Sequence, residues 1–139
     1  MKKILLIDDD VFVRGLLAEG LVHYNLQIVE ANNGKEALCV LAEYKVDAII
    51  LDIAMPTMNG FDFAQETSKL FPMIPVLVHS ALANKDSVLR MHRYGVQAFF
   101  AKPARITDIY AKLIEIHKGN YKVIPLDKII ADEFKFFDF

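Results

Sequence analysis

The stretch Ile4-Leu5-Leu6-Ile7-Asp8-Asp9-Asp10 decides the fold, because four consecutive aliphatic residues end abruptly on three carboxylates. Short apolar runs separated by helix-length segments are typical of buried parallel strands, and ligands bind at the carboxyl ends of such strands. We therefore expect a functional site where these runs end. The later runs of this kind are Ala48–Leu51 before Asp52, Val76–Val78 before His79 and Ser80, and Ala98–Ala101 before Lys102 and Pro103.

Segments with helical spacing of apolar residues lie between the predicted strands. Strict alternation of strands and helices predicts an α/β fold of the (βα)5 type, a doubly wound five-stranded parallel sheet with helices on both faces. The predicted elements are β1 3–8, α1 11–24, β2 27–31, α2 34–44, β3 47–52, α3 60–70, β4 75–79, α4 84–94, β5 97–101 and α5 105–117.

The composition is typical of a single globular domain and excludes some kinds of site. The chain has 139 residues, of which 54% are hydrophobic and 24% are charged, and this suits one domain with a proper core. A net charge of -2 gives no basic field, so we expect no direct nucleic-acid binding. Cys39 is the only cysteine, so an intramolecular disulfide and a cysteine-based zinc cluster are excluded, and we expect it to be a small core residue.

No apolar stretch approaches the roughly 18 residues of a membrane span, and the first apolar run is too short for a secretory signal. We therefore expect a soluble protein of the cytoplasm with no membrane association. Residues 1–118 form the predicted domain. The C-terminal extension 119–139 is too apolar for a linker and too short for a domain.

Three alternatives are open for the extension. It docks on its own domain, with a short helix around Leu126 to Phe134, or it docks on a partner such as a second copy. In the third alternative the chain is a piece of a longer protein with a further domain.

Asp8, Asp9 and Asp52 are predicted to converge at the site. Each pair of like charges about 4 Å apart costs on the order of 4 kcal/mol at an effective dielectric near 20, so the cluster calls for a cation. Oxygen ligands of this kind suit Mg²⁺. A carboxylate beside such a cation can attack phosphorus, and Asp52, which stands alone, is the candidate nucleophile. Lys102 and Ser80 would supply a positive charge and a hydroxyl to the phosphoryl oxygens.

Over about residues 2–118 the chain resembles the receiver domain of two-component response regulators. The resemblance implies the flavodoxin-like strand order 2-1-3-4-5, for which a receiver is one of the standard examples. It is carried by Ile4–Asp10, Glu30–Leu38, Asp52–Gly60, the pair Ser80-Ala81, Gly95, and the pair Lys102-Pro103.

The resemblance also implies roles for the site residues. Asp52 resembles the phospho-acceptor, which takes a phosphoryl group from a sensor histidine kinase or a histidine phosphotransfer protein. Asp9 resembles the direct Mg²⁺ ligand, with Mn²⁺ as an alternative metal, and Asp8 would act through water. Asp52 itself and the backbone carbonyl of Ala54 would complete the metal site. Such a domain is not an enzyme beyond its own phosphorylation and slow autodephosphorylation.

Three further residues are implied to bind the phosphate or to carry the signal. Ser80 resembles the switch hydroxyl, and Lys102 resembles the phosphate-binding lysine, which precedes a Lys102-Pro103 bond that is usually cis. Phe99 occupies the place of the switch aromatic, which reports phosphorylation to an output partner at the α4-β5-α5 face or to a homodimer. Arg105 stands where a helix-capping residue is common, so α5 is expected to begin weakly.

The sequence fits two other catalytic or binding functions less well. An aspartyl phosphatase needs a second carboxylate at the position of Ala54, and a nucleotide binder needs a glycine-rich loop in place of Asp8 and Asp9. A phosphorylation-independent interaction module and a receiver fragment of a larger regulator or hybrid kinase stay as alternatives. Asp10 is expected to be a solvated loop group, and His79 is expected to pack at the sheet rim, opposite Ser80.

Overall fold

The computed structural model describes residues 1–55 and 57–119, and the backbone of residues 136–138. The predicted helix around Leu126 to Phe134 and the docking of the extension fall mainly outside these described residues. The described elements are β1 Lys3–Ile7, α1 Val11–Val22, β2 Gln27–Ala31, α2 Gly34–Glu43, β3 Ala48–Leu51, α3 Gly60–Leu70, β4 Val76–Ser80, α4 Lys85–Arg93, β5 Ala98–Ala101, α5 Ile106–His117 and β6 Phe136–Asp138.

The sheet has the order β2-β1-β3-β4-β5-β6. The first five strands in this row are parallel, so the predicted (βα)5 fold and the order 2-1-3-4-5 are confirmed. The short strand β6 adds an antiparallel partner at the outer edge of β5, with Phe137 opposite Phe99. The sequence did not predict β6 as a strand.

Alternating side chains of each strand enter the two faces of the sheet, and both faces are buried. On one face, Leu5 and Ile7 of β1 join Phe99 and the helices α2, α3 and α4. On the other face, Ile4 and Leu6 join a core that includes residues of α1 and α5. A strand buried on both faces has to be apolar throughout. For this reason the apolar runs of the sequence predicted the strands.

Side-chain caps fix where most of the helices begin. Asn33, Asn59 and Asn84 each accept a hydrogen bond from a backbone N–H in the first turn of α2, α3 and α4. Such a cap typically contributes about 1 kcal/mol. Arg105 precedes α5, and its side chain makes no capping hydrogen bond to the described residues, as expected.

Three predictions about individual side chains or element ends were wrong. Cys39 is exposed and not a small core residue, because it lies on the outer side of α2. Helical spacing predicts that Leu16 lies on the buried stripe of α1 with Leu17 and Leu21, yet Leu16 is 53% exposed, because the side of α1 that faces the sheet contains only the other two. Several elements end one or two residues from their predicted bounds. None of the described helices is long and apolar enough to cross a membrane.

Candidate functional site

Three carboxylates meet at the carboxyl ends of β1 and β3. Asp8 and Asp9 follow β1, and Asp52 follows β3; because these strands are hydrogen-bonded neighbours, the residues after them are brought together. One carboxylate oxygen from each residue lies within 4.8 Å of the other two. Asp8 and Asp52 are buried, whereas Asp9 is exposed. The predicted convergence of the three residues is therefore present in the structure.

Lys102, which follows β5, reaches across the end of β4 to two of these carboxylates. Its Nζ lies 2.8 Å from Oδ2 of Asp8 and 3.2 Å from Oδ2 of Asp52. Burial acts to lower the pKa of Lys102, but the hydrogen bond to Asp8 and the charge of Asp52 outweigh it and raise that pKa. Burial raises the pKa of Asp8, and the hydrogen bond from Lys102 opposes this rise. The ammonium group thus neutralises part of the buried negative charge.

One carboxylate oxygen of the cluster is available to bind a cation. Oδ1 of Asp52 is buried and accepts no hydrogen bond from the described residues. A buried carboxylate oxygen without a partner is energetically costly, and a hard cation is one way to satisfy it. The three carboxylates supply oxygen ligands only, so their donor set fits Mg²⁺ or Mn²⁺ rather than a soft metal.

Close packing of Gly60 fixes the loop that carries Asp52. The backbone N–H of Gly60 donates to the carbonyl oxygen of Ile53 at 2.8 Å. A Cβ atom at Gly60 would lie 2.5 Å from Cα of Ile53 and 2.6 Å from the carbonyl oxygen of Asp52. Only a residue without a side chain allows α3 to begin this close to the end of β3.

The remaining predicted residues lie around this cluster. Ser80 is fully buried, and its Oγ accepts a hydrogen bond from the N–H of Leu82 at 3.1 Å. Phe99 is buried on the side of the sheet that α4 covers, and Ala54 lies exposed in the loop after Asp52. The peptide bond between Lys102 and Pro103 is cis.

Arg14 is a residue near the site that the sequence interpretation missed. It lies in the first turn of α1, yet it is buried, and Nη1 donates to the carbonyl oxygen of Asp8 at 2.6 Å. Its other contacts reach Glu30 and Asn32, at the end of β2 and in the loop that follows. A signal was present in the sequence, because a basic residue in the first turn of a helix opposes the helix dipole and calls for an explanation.

Asp10 differs from its expected role, and His79 makes a polar contact that the sequence did not specify. Asp10 is not merely a solvated loop group, because it caps α1 by accepting hydrogen bonds from Phe12 and Val13. His79 is buried, and its Nε2 accepts a hydrogen bond from the backbone of Ala104 at 3.3 Å. Burial, together with the positive charge of Lys102, lowers the pKa of His79 to about 4. His79 is therefore neutral at pH 7.

Known proteins match this chain over most of its length. The family model of the response regulator receiver domain matches residues 4–114. The chemotaxis protein CheY of Thermotoga maritima is 31% identical over 118 residues, which cover 84% of this chain and 98% of CheY. The transcriptional regulatory protein PdtaR of Mycobacterium tuberculosis is 33% identical over 124 residues, which cover 88% of this chain but only 60% of PdtaR.

A solved structure shows the same similarity. A response regulator protein from Burkholderia pseudomallei, solved with a phosphorylated aspartic acid, a calcium ion and citrate, superposes with a TM-score of 0.76 and 26% identity. The superposition covers 86% of this chain and 73% of that one. The fold, the ordered series of motifs and these matches lead to one assignment. The chain belongs to the family of response regulator receiver domains.

Proposed function

We propose that this receiver domain accepts a phosphoryl group on Asp52 from the phosphohistidine of a sensor kinase or of a histidine phosphotransfer protein. The observation that carries this proposal is the arrangement of Asp52, which shares Lys102 with Asp8 and keeps a second carboxylate oxygen buried and without a described partner. The phosphorylated aspartic acid of the Burkholderia pseudomallei relative supports the same chemistry in a homologous fold.

In the proposed reaction, one carboxylate oxygen of Asp52 attacks the phosphorus atom of the donor. The new oxygen–phosphorus bond forms as the phosphorus–nitrogen bond breaks, and the electron pair of that bond stays on the imidazole of the donor. Lys102 is already placed next to Asp52 and contributes positive charge to the phosphoryl oxygens. The burial of Asp52 limits the access of water to the acyl phosphate, and slow hydrolysis follows from this.

Mg²⁺ would be held by Asp9 and Asp52 directly, by Asp8 through water and by the backbone carbonyl of Ala54, with Mn²⁺ as an alternative. A bound divalent cation supplies positive charge that offsets the negative charge of the transferring group. The chain's own residues provide the rest of the chemistry, and no external substrate is turned over. The domain is thus a signalling module that catalyses only its own phosphorylation and autodephosphorylation.

Phosphorylation of Asp52 is proposed to affect the output partner through Ser80 and Phe99. An acyl phosphate adds a charge of roughly -1.5 to -2 near the end of β4, where Ser80 now accepts the N–H of Leu82. Movement of Ser80 towards the phosphate would release that N–H and change the packing of Phe99 beside α4. The α4-β5-α5 face would carry this change to a partner protein or a second copy.

The extension 119–139 is proposed to dock on its own domain. The antiparallel pairing of β6 with β5 supports this alternative over docking on a separate partner. The proposed location is the cytoplasm, where a free, exposed Cys39 stays reduced.

Incubation of the protein with phosphoramidate or acetyl phosphate and Mg²⁺ tests the central proposal. Intact-mass measurement should show the addition of one phosphoryl group, and the adduct should be absent without the metal. The matched control is Asp52→Asn, which keeps the size of the side chain and removes the nucleophile. An unmodified wild-type protein, or equal labelling of Asp52→Asn, would contradict the proposal.

A further inference from the structure

Arg14 places a positive charge in the first turn of α1, where the helix dipole disfavours it. The first turn of α1 contains no acidic residue, and the N-terminal end of a helix dipole repels a positive charge. The side chain of Arg14 is only 10% exposed, so the guanidinium group has also lost most of its contact with water. A residue that breaks a local rule in this way indicates a requirement imposed by a functional site or by the tertiary structure.

The contacts of Arg14 show what the guanidinium group holds. Nη1 donates to the carbonyl oxygen of Asp8 at 2.6 Å and to Oδ1 of Asn32 at 2.8 Å. Nε donates to Oε1 of Glu30 at 2.8 Å. The group therefore joins the turn after β1, which carries the acidic pair, to the end of β2 and the loop that follows it.

The other polar groups of Asp8 are also tied to fixed partners. Its N–H donates to the carbonyl oxygen of Ala31 at 3.2 Å, and its Oδ1 accepts from the N–H of Asp10 at 2.9 Å. Oδ2 accepts from Lys102. The carbonyl oxygen of Asp8 belongs to the peptide group that links Asp8 to Asp9, so the bond from Arg14 fixes the orientation of that peptide.

We propose that Arg14 is a positioning residue for the metal site: it holds the peptide between Asp8 and Asp9, and so presents both carboxylates to a divalent cation. This inference rests on the proposed function, which assigns Mg²⁺ to the same site. Arg14 acts on the metal site through the backbone, because its hydrogen bond to Asp8 goes to the main-chain carbonyl oxygen and not to a carboxylate of the cluster.

The geometry requires arginine and not simply a positive charge. A guanidinium group has several donors in one plane, and here they serve Asp8, Asn32 and Glu30 together. A lysine has one nitrogen on a flexible chain and does not reproduce this set of fixed directions. Loss of function in Arg14→Lys would therefore distinguish positioning from a general electrostatic effect.

The test is the affinity for Mg²⁺, measured by isothermal titration calorimetry on the full chain without any phosphoryl donor. Residues that orient metal ligands typically change metal affinity by about 10- to 100-fold, so Kd should rise about 10-fold in Arg14→Met and in Arg14→Lys. Asn32→Ala keeps Arg14 and removes one of its exposed anchors, so a smaller rise in Kd is expected. In phosphorylation assays the Mg²⁺ concentration at half-maximal rate should rise more than the maximal rate falls.

Leu41→Ala is the matched control for loss of stability. Leu41 is a buried apolar residue of α2, so its truncation should lower the melting temperature without removing a ligand or a hydrogen bond of the acidic cluster, and Kd for Mg²⁺ should not change. Folded Arg14 variants that bind Mg²⁺ as tightly as the wild type would overturn the inference and leave the proposed function intact. Equal weakening in Leu41→Ala would also overturn it. A wild-type protein that does not bind Mg²⁺ would overturn both proposals.

Discussion

The buried imidazole of His79 predicts a specific dependence of stability on pH. Burial, with the charge of Lys102, lowers the pKa of His79 from 6.5 to about 4 in the folded protein, whereas the unfolded chain has the ordinary value. Between these two values the unfolded state binds more protons, so the free energy of unfolding rises with pH. The contribution of His79 is fully present above pH 6.5 and is lost as the pH falls towards 4.

The size of this effect follows from the two pKa values. One unit of pKa difference corresponds to about 1.4 kcal/mol, so His79 should contribute roughly 2 to 3 kcal/mol between pH 7 and pH 4.5. Asp8 gives the opposite slope, because its raised pKa makes the folded state hold a proton more tightly. A variant comparison is therefore needed to isolate His79.

Urea unfolding, followed by circular dichroism without Mg²⁺, measures this dependence in the wild type and in His79→Gln. Glutamine keeps an acceptor for the N–H of Ala104 and does not titrate. The difference in unfolding free energy between the two proteins should change by roughly 2 to 3 kcal/mol over this pH range. Parallel pH profiles for the two proteins would refute the assigned protonation state of His79.

Two further substitutions test the packing and the charge balance of the site. Gly60→Ala should destabilise the protein by about 1 to 3 kcal/mol or more, because the new methyl group meets the backbone of Ile53 and Asp52 at 2.5 to 2.6 Å. Urea unfolding measures this loss of stability, and intact-mass measurement should show slower phosphorylation of Asp52. Unchanged stability would show that the backbone of Asp52 and Ile53 shifts at little cost in free energy. Lys102→Ala leaves Asp8 and Asp52 without their shared ammonium group, so the melting temperature without metal should fall. Mg²⁺ should then raise the melting temperature of Lys102→Ala more than that of the wild type. An equal or smaller rise would contradict the role of Lys102 in neutralising the charge of Asp8 and Asp52.

The strands and the acidic cluster were predictable because one physical cause produces both patterns. A parallel strand covered by helices on both faces has no place for a polar side chain until it leaves the core, as Ile4–Ile7 does at Asp8. Neighbouring strands then bring their first polar residues together. The capping role of Asp10 was missed, although an aspartate before a helical segment is a standard start signal.

Arg14 and Cys39 were not predictable from local patterns alone. The burial of Arg14 depends on Glu30 and Asn32, which are distant in the sequence and become neighbours only when β2 pairs with β1. Cys39 is apolar in character but lies on the outer side of α2, and helical spacing alone does not specify the width of the buried stripe. Both outcomes were decided by the tertiary arrangement.

The pairing of β6 with β5 has a consequence for association between molecules. An open sheet edge is a template for strands of other chains, and proteins commonly protect such edges. Here the backbone of Ala98–Phe100 already pairs with Phe136–Asp138 of the same chain. At the opposite edge, β2 carries Gln27 and Glu30, both exposed and polar, which discourage strand addition. A strand of another copy could therefore pair directly with the backbone of β5 only after the release of β6.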